Sequence, residues 1–292
     1  NKRVLEEGIK ICALVPTLLL LFFYVYDGER RLIYFVNFVL NKNRGISQFY
    51  IIFLYALPFL LSLKSIVKGK KLLWNIGVVL VSLFLIALMK NITSIFLVFL
   101  GLYFMLRYAY HLGNKRIKRA LVFVLGLSIL MGSPMLFSKI NTIIHTTDFD
   151  WNTIVTKNKI THTSNSLEHR ILINASATSI FLKNPFFGVG TGDTRDKLYD
   201  AYKRLGFKAG IKENYNSHNQ YTGEFIKTGL VGGVLFLLAQ FFLFKKISRS
   251  KPVFNTLALF FIVACFMESY LDRQHGVFVL TTILSLTYKT SN

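Results

Sequence analysis

The chain has 292 residues, of which 53% are hydrophobic, 15% aromatic and only 17% charged, where a soluble domain carries about 25% charged residues. So apolar a composition excludes a disordered chain, and its repeated long apolar runs exclude an ordinary soluble globule. The 35 Lys and Arg against 14 Asp and Glu give a net charge of +21, read here as loop lysines and arginines of a membrane protein, since no nucleic-acid-binding module is present.

A membrane helix needs about 20 apolar residues. Eight spans are predicted: Ile9–Tyr26, Ile46–Leu63, Leu72–Met89, Thr93–Leu112, Ala120–Phe137, Gly223–Phe244, Val253–Tyr270 and Gly276–Tyr288, the last short enough to be partial. In the first, Lys10 is expected to snorkel to the interface and Pro16 to kink the helix. Leu32–Leu40 is apolar but too short to span and reads as interfacial. Cys12 and Cys265 fall inside apolar runs, predicting buried free thiols and no disulfide. The first residue is Asn1 and no cleavable signal peptide is recognisable, so the expectation is a fragment of a longer chain.

Orientation follows the short basic loops. Lys2, Arg3 and Lys10, then Lys64 to Lys71, Lys115 to Arg119, Lys245 to Lys251 and Lys289 outweigh Arg30, Arg31, Lys42, Arg44, Lys90 and Arg273 on the alternate connections. The first set is assigned to the cytoplasm, which puts Lys139–Thr222 on the outer face. The expected organisation is therefore transmembrane helices over 1–138, a large outer loop over 139–222, and carboxy-terminal transmembrane helices over 223–292.

A loop that long needs structure of its own. Asn165 and Glu168 have capping-box spacing ahead of Leu167, Ile171, Leu172 and Ile180, and Pro185 stops that helix. Asp193 can cap a second helix carrying Leu198, Tyr202 and Leu205 on one face, with Gly206 at its end. Between them, Gly188, Gly190 and Gly192 are spaced G-x-G-x-G, which reads as a tight turn and not as a nucleotide loop, because no βαβ unit surrounds it.

The six histidines show no zinc-ligand spacing. His218 stands apart by position. Ser217 and Gln220 form an S-x-x-Q capping box, so a helix is expected to begin at His218 and run into the span ending near Phe244. A helix start suits a phosphate and disfavours an imidazolium. Spacing alone leaves open both a proton-accepting histidine and a surface histidine packed against a loop. Gly229, Gly232 and Gly233 read as close helix packing in lipid, and Glu224 is expected to pair with Lys227. Arg170 lies early in its predicted helix, where a cation is unfavourable, and with Arg30, Arg31, Arg44 and Lys90 makes an outer basic cluster suited to phosphate.

Arg170 to Ala175, Asn184-Pro185-Phe186-Phe187-Gly188-Val189-Gly190, Ser217-His218-Asn219-Gln220-Tyr221 and Gly229-Leu230-Val231-Gly232 occur in this order. The set resembles the O-antigen ligase and polymerase family over roughly residues 30–245. The resemblance implies an all-α membrane protein, a polytopic helix bundle of the glycosyltransferase C type. It implies transfer of a glycan from undecaprenyl diphosphate with inversion, without metal or other cofactor, to a lipid or glycan acceptor in the bacterial plasma membrane. It also implies that His218 is the general base and that Arg170 holds the diphosphate. Lys90, Arg31, Arg44, Asn219 and Tyr221 are further expected contacts to diphosphate or glycan. Lys90 stands where the family commonly has arginine, and an ammonium lacks the bidentate fork. A ligase acting on lipid A-core is the leading expectation, a polymerase of lipid-linked repeat units the alternative, and a lipid-linked-sugar transporter a third reading. Apart from donor, acceptor and membrane lipids, no partner is implied, and no nucleic acid.

Overall fold

The computed structural model describes residues 4–11, 14, 17–18, 48–88, 92–113, 115, 117–119, 121–122, 126, 137, 140–160, 165–246 and 251–288. Among the described residues there is no β-strand. The helices are α1 (Gln48–Val67), α2 (Leu72–Leu88), α3 (Ile92–His111), α4 (Trp151–Ile160), α5 (Ser166–Lys183), α6 (Thr194–Leu205), α7 (Lys208–Glu213), α8 (Gln220–Lys245), α9 (Pro252–Ala264) and α10 (Gln274–Tyr288), with a 3₁₀ turn at Tyr270–Asp272. The chain divides into two compact units: Asn1–Ser133 with Lys246–Phe260 and Phe278–Asn292, and Pro134–Lys245 with Phe261–Val277.

Two described helices are long and apolar enough to cross a membrane, Thr93–His111 and Gln220–Lys245, and three shorter apolar helices occupy Tyr55–Val67, Leu72–Ile86 and Pro252–Ala264. The expected spans Ile9–Tyr26 and Ala120–Phe137 fall largely outside the described residues.

In the first unit, α3 packs tightly on α1. A Cβ at Gly101 would lie only 2.7 Å from Leu60 Cδ2, so the missing side chain sets how closely the two helices approach. Phe260 brings its ring within 4.8 Å of Phe53 and 6.3 Å of Phe96. Lys10 departs from expectation. It does not snorkel: it is fully buried, and its ammonium donates to Asn75 Oδ1 at 2.7 Å, Ser65 Oγ at 3.3 Å and Glu7 Oε1 at 3.4 Å. A set of acceptors supplied by three segments removes the reason to reach for water.

The second unit has its own core, in which Ile154, Leu172, Ile173, Ala177, Ile180, Leu198, Tyr202, Phe207 and Ile226 bury one another. Helix α5 begins as predicted. Asn165 accepts from the N–H groups of Leu167 and Glu168. The carboxylate of Glu168, fully buried, turns instead to α4, accepting from Lys157 Nζ at 2.9 Å and Asn158 Nδ2 at 3.3 Å. Helix α6 ends on Gly206, left-handed at φ 68, as its sequence requires. Its start differs: Asp193 makes no side-chain cap, and Thr194 Oγ1 ties the turn by donating to Gly190 O at 2.6 Å.

Helix α8 is broken. Gly229 has φ 65 and ψ −158, a conformation open only to glycine, and divides α8 into a nine-residue head and a longer apolar shaft. The turn after α5 stitches this break. Leu230 N–H donates to Pro185 O at 2.7 Å and Val231 N–H to Phe186 O at 3.3 Å, while Val189 N–H and Gly190 N–H donate to Ile226 O and Lys227 O, each at 2.9 Å. Each buried backbone group left unpaired costs about 1–3 kcal/mol, so without this turn the break would not persist. A Cβ on Gly188 would collide with Ile226 O, and one on Gly229 with Phe186 O. The close approach at Gly229 is thus to the backbone of a turn. At Gly232 and Gly233 it is to Thr228 and Phe225 of the same helix.

Candidate functional site

The head of α8 begins two residues later than its capping-box spacing suggested. Asn219 caps it, accepting from Thr222 N–H at 3.2 Å through Oδ1, while its carbonyl accepts from Gly223 N–H. Ser217 is instead a tie, donating to Asn219 O at 2.9 Å and sharing a hydrogen bond of 3.1 Å with Ser269 Oγ. His218 is therefore outside the helix. Its backbone is left-handed at φ 44, held by Asn216 Oδ1, which accepts from His218 N–H at 3.0 Å. A non-glycine residue in this region carries strain that the surrounding contacts must overcome.

Those contacts come from the segment after α9. The apolar run that reads as one span to Tyr270 ends as a helix at Ala264, and a turn carries Met267, Glu268 and Ser269 back across the head of α8. Gln220 N–H donates to Cys265 O at 2.8 Å, and Gln220 Oε1 accepts from Leu271 N–H at 2.7 Å. Gln220 Nε2 reaches Glu224 Oε1, Glu224 pairs with Lys227 at 3.5 Å as expected, and Lys227 also binds Asp272. Two chain segments far apart in sequence are thereby locked side by side.

The lock places His218 Nδ1 3.4 Å from Glu268 Oε1. The imidazole is partly exposed, and the carboxylate is nearly buried. Burial favours the neutral acid at Glu268, but the His218 imidazole, the Ser269 N–H and Arg273 outweigh it and hold the carboxyl below its usual range. The Tyr215 ring packs edge-on to the imidazole at 5.3 Å. Sequence reasoning named neither partner. Glu268 was absorbed into a predicted span, although an acid inside an apolar run is itself a signal.

Arg170 completes the arrangement. It donates through one guanidinium nitrogen to His218 O at 3.2 Å and through the other to Met267 O at 2.9 Å, so it bridges the two segments that carry the histidine and the glutamate. Burial lowers its pKa and Glu268 opposes that shift; a guanidinium stays charged regardless. Its place early in α5, unfavourable for a cation in isolation, is explained by these two carbonyls.

The other named residues separate into two groups. Asn219 and Tyr221 lie at the site but are engaged internally: the buried Tyr221 donates to Ile262 O at 2.8 Å, and its ring lies tilted 4.2 Å from that of Phe266. Arg31, Arg44 and Lys90 lie outside the described residues. Among the described residues, no three His, Cys, Asp or Glu side chains converge as a metal site requires.

Among the described residues, two helices have membrane-crossing length and composition, and the head of one of them carries His218 beside the Glu268 carboxylate. The O-antigen ligase family model matches residues 76–237, more than half of the chain, and the protein belongs to that family of bacterial membrane glycosyltransferase-like enzymes. The matched stretch contains Arg170, the Gly188 turn, His218 and Gly229; Glu268 lies beyond it. No curated protein and no solved structure shows a significant match to the chain.

Proposed function

We propose that the protein transfers a glycan from undecaprenyl diphosphate to an acceptor hydroxyl on lipid A-core, at the outer face of the plasma membrane. The observation that carries this reading is the His218–Glu268 pair bridged by Arg170. With Nδ1 turned to Glu268 and its proton held there, Nε2 is the ring nitrogen left to take a proton. His218 removes the proton from the acceptor hydroxyl as its oxygen attacks the anomeric carbon. The bond from that carbon to the diphosphate breaks, and undecaprenyl diphosphate leaves with the electron pair. In-line attack of this kind inverts the anomeric centre. Glu268 orients the imidazole and stabilises the imidazolium that forms.

Arg170 spends part of its fork on two carbonyls and keeps its remaining donors for the diphosphate. Lys90, Arg31 and Arg44 supply further positive charge to the leaving group in this reading, with the 139–222 segment on the outer side.

The test is complementation. Wild-type protein and the His218→Ala and Glu268→Gln variants are expressed in a strain lacking its own surface-glycan ligase, and the lipopolysaccharide is run on a gel. The expected result is a glycan ladder with wild type, none with His218→Ala and a faint one with Glu268→Gln. Undecaprenyl-linked glycan that stays unattached with wild type overturns the ligase reading. Single repeat units growing into long chains would assign polymerase activity instead.

A further inference from the structure

The turn that stitches the break in α8 also presents two largely exposed aromatic side chains. Phe186 is 65% exposed and Phe187 79% exposed, and Leu182, at the end of α5, is 69% exposed. Isolated exposed apolar residues need no explanation, but these three are contiguous in the chain with a second exposed surface. The carbonyl of Phe186 is bonded to Val231 N–H, so the Phe pair sits where the apolar shaft of α8 begins. From there Val231, Val234, Leu235, Leu238, Phe241 and Phe242 are exposed along a helix long and apolar enough to span a bilayer. Four backbone hydrogen bonds hold the turn against the break, so the aromatic pair cannot swing away from that shaft.

We propose that Phe186 and Phe187 form a wedge inserted among the acyl chains of the bilayer lipids, fixing the head of α8 and its His218 at the membrane surface. Aromatic rings favour this depth, where apolar chains meet the polar headgroups. The occupant is the bilayer because the wedge is continuous with the lipid-facing side of the shaft. The proposal deepens the functional reading above and rests on its placement of the site at a membrane surface.

The experiment uses the whole protein in lipid nanodiscs. Phe187→Trp is made in a Trp74→Phe, Trp151→Phe background, and its fluorescence is compared in plain and acyl-brominated lipids. A tryptophan at a position this exposed disturbs no packing. A blue-shifted emission, largely lost in brominated lipid, is expected, with no such loss for Lys197→Trp on the exposed side of α6. Water-like emission, unquenched in both lipids, overturns the wedge. So does quenching that appears only when undecaprenyl phosphate is added, which would assign the pair to the donor's tail. Adding His218→Ala leaves the quenching unchanged if the wedge is right, even where the catalytic reading fails.

Discussion

His218 Nδ1 faces Glu268 Oε1 across 3.4 Å, although fifty residues and two apolar helices separate them in the chain. The contact depends on α9 ending at Ala264, short of the length its apolar run allows. It is strengthened on one side by Ser217 with Ser269 and on the other by Arg170 holding His218 O and Met267 O.

If Glu268 orients the imidazole, Glu268→Gln slows glycan transfer by roughly ten- to a hundred-fold, short of the ~10²–10⁴ expected for loss of the base itself. Glu268→Asp recovers part of the rate. The pair also leaves a pH signature. The carboxyl titrates lower in the folded protein than in the unfolded one, so its stabilisation is complete above the unfolded value of about 4.3 and is lost as pH falls through the folded value. Thermal stability of the wild type, measured below about pH 4.3, therefore falls more steeply than that of Glu268→Gln.

Arg170→Lys keeps the charge but cannot span two carbonyls. A hydrogen bond from a charged donor is worth about 1.5–3 kcal/mol, so losing one of the two costs roughly ten- to a hundred-fold in transfer rate. Equal activity of the lysine variant, in the same transfer assay, would mean that only the charge matters.

Gly188→Ala and Gly229→Ala each force a Cβ into the opposing backbone and add about 1–3 kcal/mol of conformational strain before any collision. Both variants are expected to lower the melting temperature and to abolish transfer without touching His218. Gly190→Ala has open space around its Cβ position and is strained only by its φ of 86. It should be the mildest of the three by both measurements.

Lys157→Met leaves the fully buried Glu168 carboxylate with amide and N–H donors but no cation. Removing one partner of a fully buried pair costs ~3–5 kcal/mol, and the part-exposure of Lys157 reduces this to about 2. A lower melting temperature is expected, together with early proteolysis between α4 and α5. The double variant Lys157→Met, Glu168→Gln should recover much of the loss.

Much of this is legible in the amino-acid sequence. The apolar runs located α1, α2 and α3 to within a few residues, because nothing but a helix suits so uniform a stretch. Asn165 and Gly206 marked real helix ends, since each solves a local backbone problem. His218 and Arg170 were named, but as separate features. What joins them is non-local: backbone carbonyls at His218 and Met267 carry no signal in the sequence. Glu268 does carry a signal, an acid inside an apolar run, but the run's hydropathy suggests a straight span and its partner is fifty residues away. The spacing of Gly229 to Gly233 suggests lipid-phase packing, whereas its φ of 65 depends on a turn forty residues earlier.

The most direct measurement is glycan transfer by the purified protein from an undecaprenyl-diphosphate-linked donor to lipid A-core, comparing wild type with a His218→Ala variant of matched melting temperature. The account predicts transfer by the wild type and a drop of about 10²–10⁴ in rate for the variant, with donor binding retained. Transfer at an undiminished rate by His218→Ala would contradict it.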